Sequence, residues 1–385
     1  MNLLCSLRLA LRSARLATLR SARLATLRPA WLATLRSARL AALRSARLST
    51  LRPARSSTRR SASWPVGRAA LRPVAAGALA VLLGTAARAE PPAACPPVAT
   101  APTAEQVQAG QRDARDRGFL WRISRDSRSS YLFGTMHVAR LDWMFPGPRV
   151  SEALLASDTV ALELDLLDPE IGRRLVAALA AQPRTVLPAP LQQRLRQFAE
   201  AECVPAAALA PLSPEMQVLS LASLSGRRAG LDPAWGIDAF LAGWARGAGK
   251  AVVSLETPES QLQALQLATD AERIEFVERG LDDLAPGPAR DAVLRLARAW
   301  ADADLATLEG YEAWCHCLKT AADRALMKRL LDDRNPALAD RIAALHAGGS
   351  RVFAAVGALH VIGARGLPRL LEQRGYRVER IAYRP

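Results

Sequence analysis

Four apolar runs in this chain each stop on a polar residue, and no other feature constrains the fold as tightly. Tyr131-Leu132-Phe133 runs into Gly134-Thr135-Met136-His137, and Val160-Ala161-Leu162 runs into Glu163 and Asp165. Residues 252–255 run into Glu256, and residues 352–356 into Gly357-Ala358-Leu359-His360. Short apolar runs rich in β-branched residues and bounded by turn residues read as buried strands. Residues 120–123 supply a first strand, 376–379 a last one, and 125–130 a polar turn. Helical patterns lie between. Asp232-Pro233, Thr257-Pro258 and Asn335-Pro336 each place a capping side chain before a proline at the first turn, and Ser151 is positioned to cap a helix ending at Ser157. Ile237, Phe240, Leu241 and Trp244 follow the i, i+3, i+4, i+7 spacing of a buried face. The long stretches 170–230 and 270–331 read as helical. The expectation is an α/β fold, a central mixed sheet flanked by helices with a large helical insertion in the middle.

The strand ends are where chemistry belongs, because ligands of open α/β sheets gather beyond the carboxyl ends of the strands. Glycine just after a strand permits close backbone approach. The two Gly-x-x-His motifs use two of only four histidines in the chain. Two neutral imidazoles and a carboxylate leave a metal coordination position open for water. A metal there lowers the pKa of that water and polarises a carbonyl. His137, His360 and Glu163 are therefore the candidate metal ligands. Glu163 is also a candidate general base, Glu256 is the second catalytic carboxylate, and Arg334 is a candidate oxyanion or carboxylate clamp. A structural reading competes at each position. The histidines could be satisfied groups capping strand ends, Glu163 a buried partner of Arg334, and Asp238 a helix-capping aid. His316 and His346 read as surface residues.

The motifs together resemble the TraB/GumN family, which includes the Tiki-type metalloproteases. The resemblance rests on the segment from Tyr131 to His137, on Ala161-Leu162-Glu163-Leu164-Asp165, on Gly236-Ile237-Asp238 and on Leu255-Glu256-Thr257. Arg334-Asn335 and the segment from Ala355 to His360 complete it, in the family's order. The resemblance implies a metal-dependent hydrolase acting on peptide or amide bonds, with Mn, Co or Zn as the divalent ion and a peptide or small molecule as substrate. The rival expectation is a non-catalytic envelope protein that holds a ligand or metal with the same histidine pair.

The formal charge of +16 suggests nucleic acid until it is located. Residues 1–89 hold 17 of the 52 basic residues and no acidic ones, leaving 35 basic against 36 acidic residues in the rest. A near-neutral remainder lacks the electrostatic footprint of a nucleic-acid partner, and none is expected. Residues 1–65 are an eight-residue Arg/Leu repeat marked by Arg12, Arg20, Arg28, Arg36, Arg44 and Arg52, too simple to pack a core. They read as a non-native extension, against a membrane-surface helix or a nucleic-acid arm. Residues 66–89 read as a signal peptide, with Arg68 and Arg72, an apolar stretch over 74–87, and the small-x-small pattern Ala87-Arg88-Ala89 before Glu90. The expected location is periplasmic or secreted, with no membrane anchor left after cleavage. Residues 90–118 read as a Pro/Ala-rich linker and 119–385 as the folded domain. Export makes disulfides available to Cys95, Cys203, Cys315 and Cys317. Cysteines two apart bridge only with strain, so Cys203 is expected to pair with Cys315 or Cys317.

Overall fold

The computed structural model describes residues 95–383 apart from residue 286. The Arg/Leu repeat and the signal-peptide pattern lie outside the described residues. Six strands form a single mixed sheet: β1 (Phe119–Arg125), β2 (Arg128–Thr135), β3 (Thr159–Leu162), β4 (Ala251–Ser254), β5 (Val352–Gly357) and β6 (Arg377–Ile381). Their order is β4-β3-β5-β2-β1-β6. Strands β4, β3, β5 and β2 run parallel, while β1 pairs antiparallel with both β2 and β6. All six residues of β5 are buried, as expected for a central parallel strand covered on both faces. The expected polar turn at 125–130 tightens to two residues. Asp126 and Ser127, at φ 52° and 59°, both adopt the left-handed backbone that matches the twist of a hairpin.

Helices cover the sheet. The α2 helix (Pro148–Ala156) follows β2, and α7 (Ile237–Gly247) packs on β3 and β4. The α10 helix (Pro288–Ala301) contributes Trp300, and α14 (Asn335–Ala347) packs on β5. A continuous core joins Phe119, Leu132, Phe353, Leu241, Trp300 and Ile342. The helical middle forms in two blocks. Between β3 and β4 lie α3 (Pro169–Ala180), α4 (Ala189–Ala201), α5 (Ala206–Leu209) and α6 (Pro214–Leu224). After β4 come α8 (Pro258–Leu265) and α9 (Asp270–Leu284), which share a second apolar core with the first block through Leu175, Leu195, Leu221, Leu262 and Val277. After α10 follow α11 (Leu305–Glu309), α12 (Tyr311–Trp314) and α13 (Ala321–Leu330), and α15 (Leu367–Gln373) precedes β6.

The structure revises several expectations. The stretch read as a linker contains α1 (Ala104–Arg112), capped reciprocally by Thr103 and Gln106. Its Gly110 lies so close to the Phe145 ring that a Cβ would stand 2.1 Å away. Ser151 lies inside α2, whose N-cap is Gly147. The Asp116 carboxylate reaches over from outside the helix and accepts from the Arg149 and Val150 amides at 3.1 and 3.0 Å. His346 is a core residue at 1 % exposure. Its Nδ1 lies 2.8 Å from Ser130 Oγ, and its ring meets Tyr376 edge-on. The amphipathic pattern of α14 missed it because a histidine reads as polar. Cys203 pairs with Cys95, not with Cys315 or Cys317, and those two pair with each other. His316 makes the short bridge feasible by taking the left-handed backbone at φ 53°. Among the described residues, no helix is long and apolar enough to cross a membrane.

Candidate functional site

Parallel pairing brings the carboxyl ends of β2, β3, β4 and β5 to one edge of the sheet. His137 follows β2 by two residues, Glu163 directly follows β3, and Glu256 follows β4 by two. His360 sits on a 3-10 turn, Ala358–Val361, at the end of β5. The residues singled out in the sequence thus occupy a common edge, although 197 positions separate Glu163 from His360.

Each histidine is gripped at Nδ1. His137 Nδ1 lies 2.7 Å from Asp238 Oδ2, and Asp238 Oδ1 accepts from the Thr135 hydroxyl at 2.7 Å. A carboxylate accepts here, so Nδ1 is the His137 nitrogen that donates to Asp238, and in the neutral ring this tautomer leaves the lone pair on Nε2. His360 Nδ1 lies 2.6 Å from Asn335 Oδ1. The Asn335 amide nitrogen is spent on the Arg365 carbonyl at 2.8 Å, so its oxygen faces the imidazole and assigns the same tautomer. The Gly236-Ile237-Asp238 segment is built for this contact. A Cβ on Gly236 would meet the His137 carbonyl at 2.8 Å, and the Ile237 amide donates to the Met136 carbonyl at 3.0 Å. These contacts dock the start of α7 on the first motif. Asn335, expected as a cap, is instead the first residue of α14 and turns its side chain to His360.

The carboxylates are equally fixed. Glu163 Oε1 accepts from the Gly357 amide at 2.7 Å, and Oε2 from Arg334 Nη2 at 2.7 Å and from Gln261 at 3.2 Å. Glu256 accepts from Arg334 through both oxygens and from Gln261 at 3.1 Å. The two remaining Arg334 protons go to the Leu330 carbonyl at 2.9 Å and to His360 Nε2 at 3.3 Å. All five guanidinium N–H groups are therefore engaged inside the protein. Arg334 anchors Glu163 and Glu256 here, and the sequence-based role of clamping a substrate has no donor left to perform it. Consecutive residues, Arg334 and Asn335, bracket the two nitrogens of His360.

Electrostatics follow from these contacts. Burial works against the charge of Glu163, but Arg334 foremost, with the histidines and the Gly357 amide, outweighs it and holds the carboxyl well below the usual range. Burial pushes His360 down to about 3, aided by Arg334 and opposed by Glu163, so the imidazole is neutral at physiological pH. The 3.9 Å approach of His360 Nε2 to Glu163 Oε1 is therefore a contact with a neutral ring rather than an ion pair. Burial disfavours the Arg334 charge, yet Glu163 and Glu256 together raise its pKa further. Glu163, Glu256 and Asp238 against one guanidinium leave the cluster with a formal charge of −2. Gly357 marks the gap between the groups. A Cβ there would meet His137 Nε2 at 3.1 Å and Glu163 Oε1 at 3.3 Å. Asp165, by contrast, pairs with Arg246 and donates its amide to Ser254 Oγ, apart from the cluster.

The model of the TraB/PrgY/gumN family matches residues 119–380, from the first residue of β1 to the penultimate residue of β6. The chain belongs to the TraB/PrgY/gumN family. No curated protein and no solved structure matches it. In this family member three site residues escaped the sequence reading or were undervalued there. Asp238 and Asn335 lie in the motifs, but motif spacing does not set them against the histidines they contact. Gln261 carried no signal, since an amide in the first turn of a capped helix reads as a surface residue; it is 5 % exposed and bridges Glu163 and Glu256. Among the described residues of this TraB/PrgY/gumN protein, no three His, Cys, Asp or Glu side chains stand in metal-holding geometry. Arg334 contacts His360 Nε2 and Glu163 Oε2, two of the atoms such a site would use.

Proposed function

We propose that this family member is an exported metal-dependent hydrolase acting on peptide or amide bonds. The observation that carries the proposal is the pair of histidines with Nδ1 tied down and Nε2 turned toward the Glu163 edge. Such outer hydrogen bonds fix the tautomer and orientation that a metal-ligating imidazole needs. The donor set fits a divalent ion on two further counts. The imidazole of His360 is neutral, as ligation requires, and a cluster charge of −2 matches a dication. His137, His360 and Glu163 would hold the ion, with Mn, Co or Zn all compatible with nitrogen and carboxylate donors. When bound, the ion supplies a water of lowered pKa and polarises a carbonyl. The protein's own part is positional. Asp238 and Asn335 orient the rings, Gln261 and Arg334 direct Glu163 and Glu256, and Arg334 keeps Glu163 ionised. Glu256, 7 % exposed at its side chain, is the carboxylate left to take a proton once Glu163 is engaged as a ligand. Two disulfides are consistent with export to an oxidising compartment.

The deciding experiment is metal analysis of the protein after equilibration with Mn, Co and Zn, alongside cleavage of a peptide library. Wild type is expected to retain an ion and cleave, and His137→Ala to lose both. Metal retained without cleavage would favour the ligand-holding alternative, and cleavage undiminished in His137→Ala would reject the site. Asp238→Asn is a finer probe, because it leaves the side chain in place but removes the carboxylate that fixes the His137 tautomer. Metal affinity should fall by about 10–100-fold, read by calorimetric titration, with unchanged affinity counting against Asp238 as the orienting group.

A further inference from the structure

The bridge between Cys315 and Cys317 has no part in the site above, and its two sulfurs are not equivalent. Cys315 is buried at 3 % exposure, whereas Cys317 is half-buried and His316 between them is exposed. The Cys317 amide points at Cys315 Sγ from 3.1 Å. The Tyr311 hydroxyl lies 3.6 Å from Cys317 Sγ. His316 holds a left-handed backbone at φ 53° with no glycine to ease it.

We propose that Cys315–Cys317 is a thiol–disulfide exchange site whose substrate is an external dithiol. The incoming thiolate attacks Cys317 Sγ, on the less buried of the two cysteines. A new bond forms between the external sulfur and Cys317, the bond between Cys317 and Cys315 breaks, and its electron pair leaves on Cys315 as a thiolate. Exchange runs faster when the leaving thiol is the more acidic one. The Cys317 amide, already aimed at Cys315 Sγ, stabilises that negative charge as backbone N–H groups do for other anions. The donor's second thiolate then attacks its own sulfur on Cys317 and releases the Cys317 thiolate. The external dithiol is oxidised to a disulfide by two electrons, the Cys315–Cys317 pair is reduced by two, and the donor's two protons end on the two cysteines. Burial pushes the Tyr311 pKa up, so its hydroxyl stays protonated as a donor beside the attacked sulfur.

Two features make opening tolerable. Freeing His316 from the left-handed region favours the open form by roughly tenfold. The ring spans a sequence separation of only 2, so opening it returns little chain entropy to the unfolded state. The fold should therefore survive the reaction. Accessibility alone does not single this bridge out, since Cys95 and Cys203 are both exposed as well. The distinguishing marks are the unequal sulfurs and the survival of the fold.

The test is native-state exchange with reduced glutathione, quenched by acid and read by peptide mapping that reports each bridge separately. The adduct is expected on Cys317 at least about tenfold over Cys315, with the circular dichroism spectrum unchanged. Dithiothreitol should take the same pair to two free thiols without a lasting adduct. Cys315→Ser, in which Cys317 is a free thiol, should take its adduct from oxidised glutathione, releasing one reduced glutathione, and should hold it because no neighbouring thiol remains to expel it. Equal labelling of both sulfurs, or a bridge that opens only once the chain unfolds, overturns the proposal. The wild-type map is decisive alone should the variant fail to fold.

Discussion

Arg334→Met is expected to lower the stability of the metal-free protein by about 3–5 kcal/mol, the usual cost of removing one partner from a buried ion pair. The size follows from what the side chain holds. Arg334 is 15 % exposed, and its Nη2 contacts Glu163 and Glu256, which are 4 % and 7 % exposed at their side chains. Without it the cluster's formal charge moves from −2 to −3, with two carboxylates stripped of their cation. The same change frees His360 Nε2 and Glu163 Oε2, which are the positions a metal would use. The variant should therefore bind Zn or Mn more tightly than wild type. Ion at about a hundredfold over its dissociation constant should return roughly 2.7 kcal/mol of the lost stability. Guanidinium unfolding with and without the ion measures both effects. A triple variant that adds Glu163→Gln and Glu256→Gln separates charge from shape, and much of the loss should be recovered without metal. A variant as stable as wild type would mean that the guanidinium does not neutralise the pair. A stability loss with no rescue by any divalent ion would count against the metal reading itself.

The same cluster explains what could be read ahead of the structure. Strands β3 and β5 and the second half of β2 lie in the buried centre of the sheet, so residues 131–133, 160–162 and 352–356 are continuous apolar runs, and the polar residues closing them stand out. Parallel pairing then makes sequence-distant strand ends neighbours, which is why His137, Glu163, Glu256 and His360 could be grouped from spacing alone. Residues that act on others across the edge left weaker traces. Asp238 looks like a helix-start acid because that is also where it is; only the fold shows that α7 begins against the His137 backbone. Gln261 comes from α8, and the Glu163 it donates to lies 98 positions earlier, after β3. The four cysteines admitted three pairings, and a local strain argument chose wrongly because one left-handed residue, His316, relieves it.

The largest effect outside the site should come from Cys203→Ser, which removes the bridge to Cys95 across 108 positions. In the chain-entropy model a loop of this length contributes about 4–5 kcal/mol. Both cysteines are exposed, so the substitution opens no cavity and the loss isolates the cross-link. Cys203 also carries a second, opposing contribution. It follows the C-cap of α4 with φ 50°, and its amide donates to the Glu200 carbonyl at 2.8 Å. This is the helix-terminating position where glycine is favoured. A side chain in the left-handed region costs about 1–2 kcal/mol. Cys203→Gly should therefore be less destabilising than Cys203→Ser by about 1 kcal/mol, since it loses the same bridge but sheds the strain. Cys95→Ser, which leaves the strained residue in place, should match Cys203→Ser. Urea unfolding of the three variants, with wild type measured with and without reductant, gives the comparison. Equal stability for Cys203→Gly and Cys203→Ser would show that the turn after α4 relaxes once the bridge is gone. A loss below about 1 kcal/mol for all three would mean that the unfolded chain keeps these segments together without the cross-link.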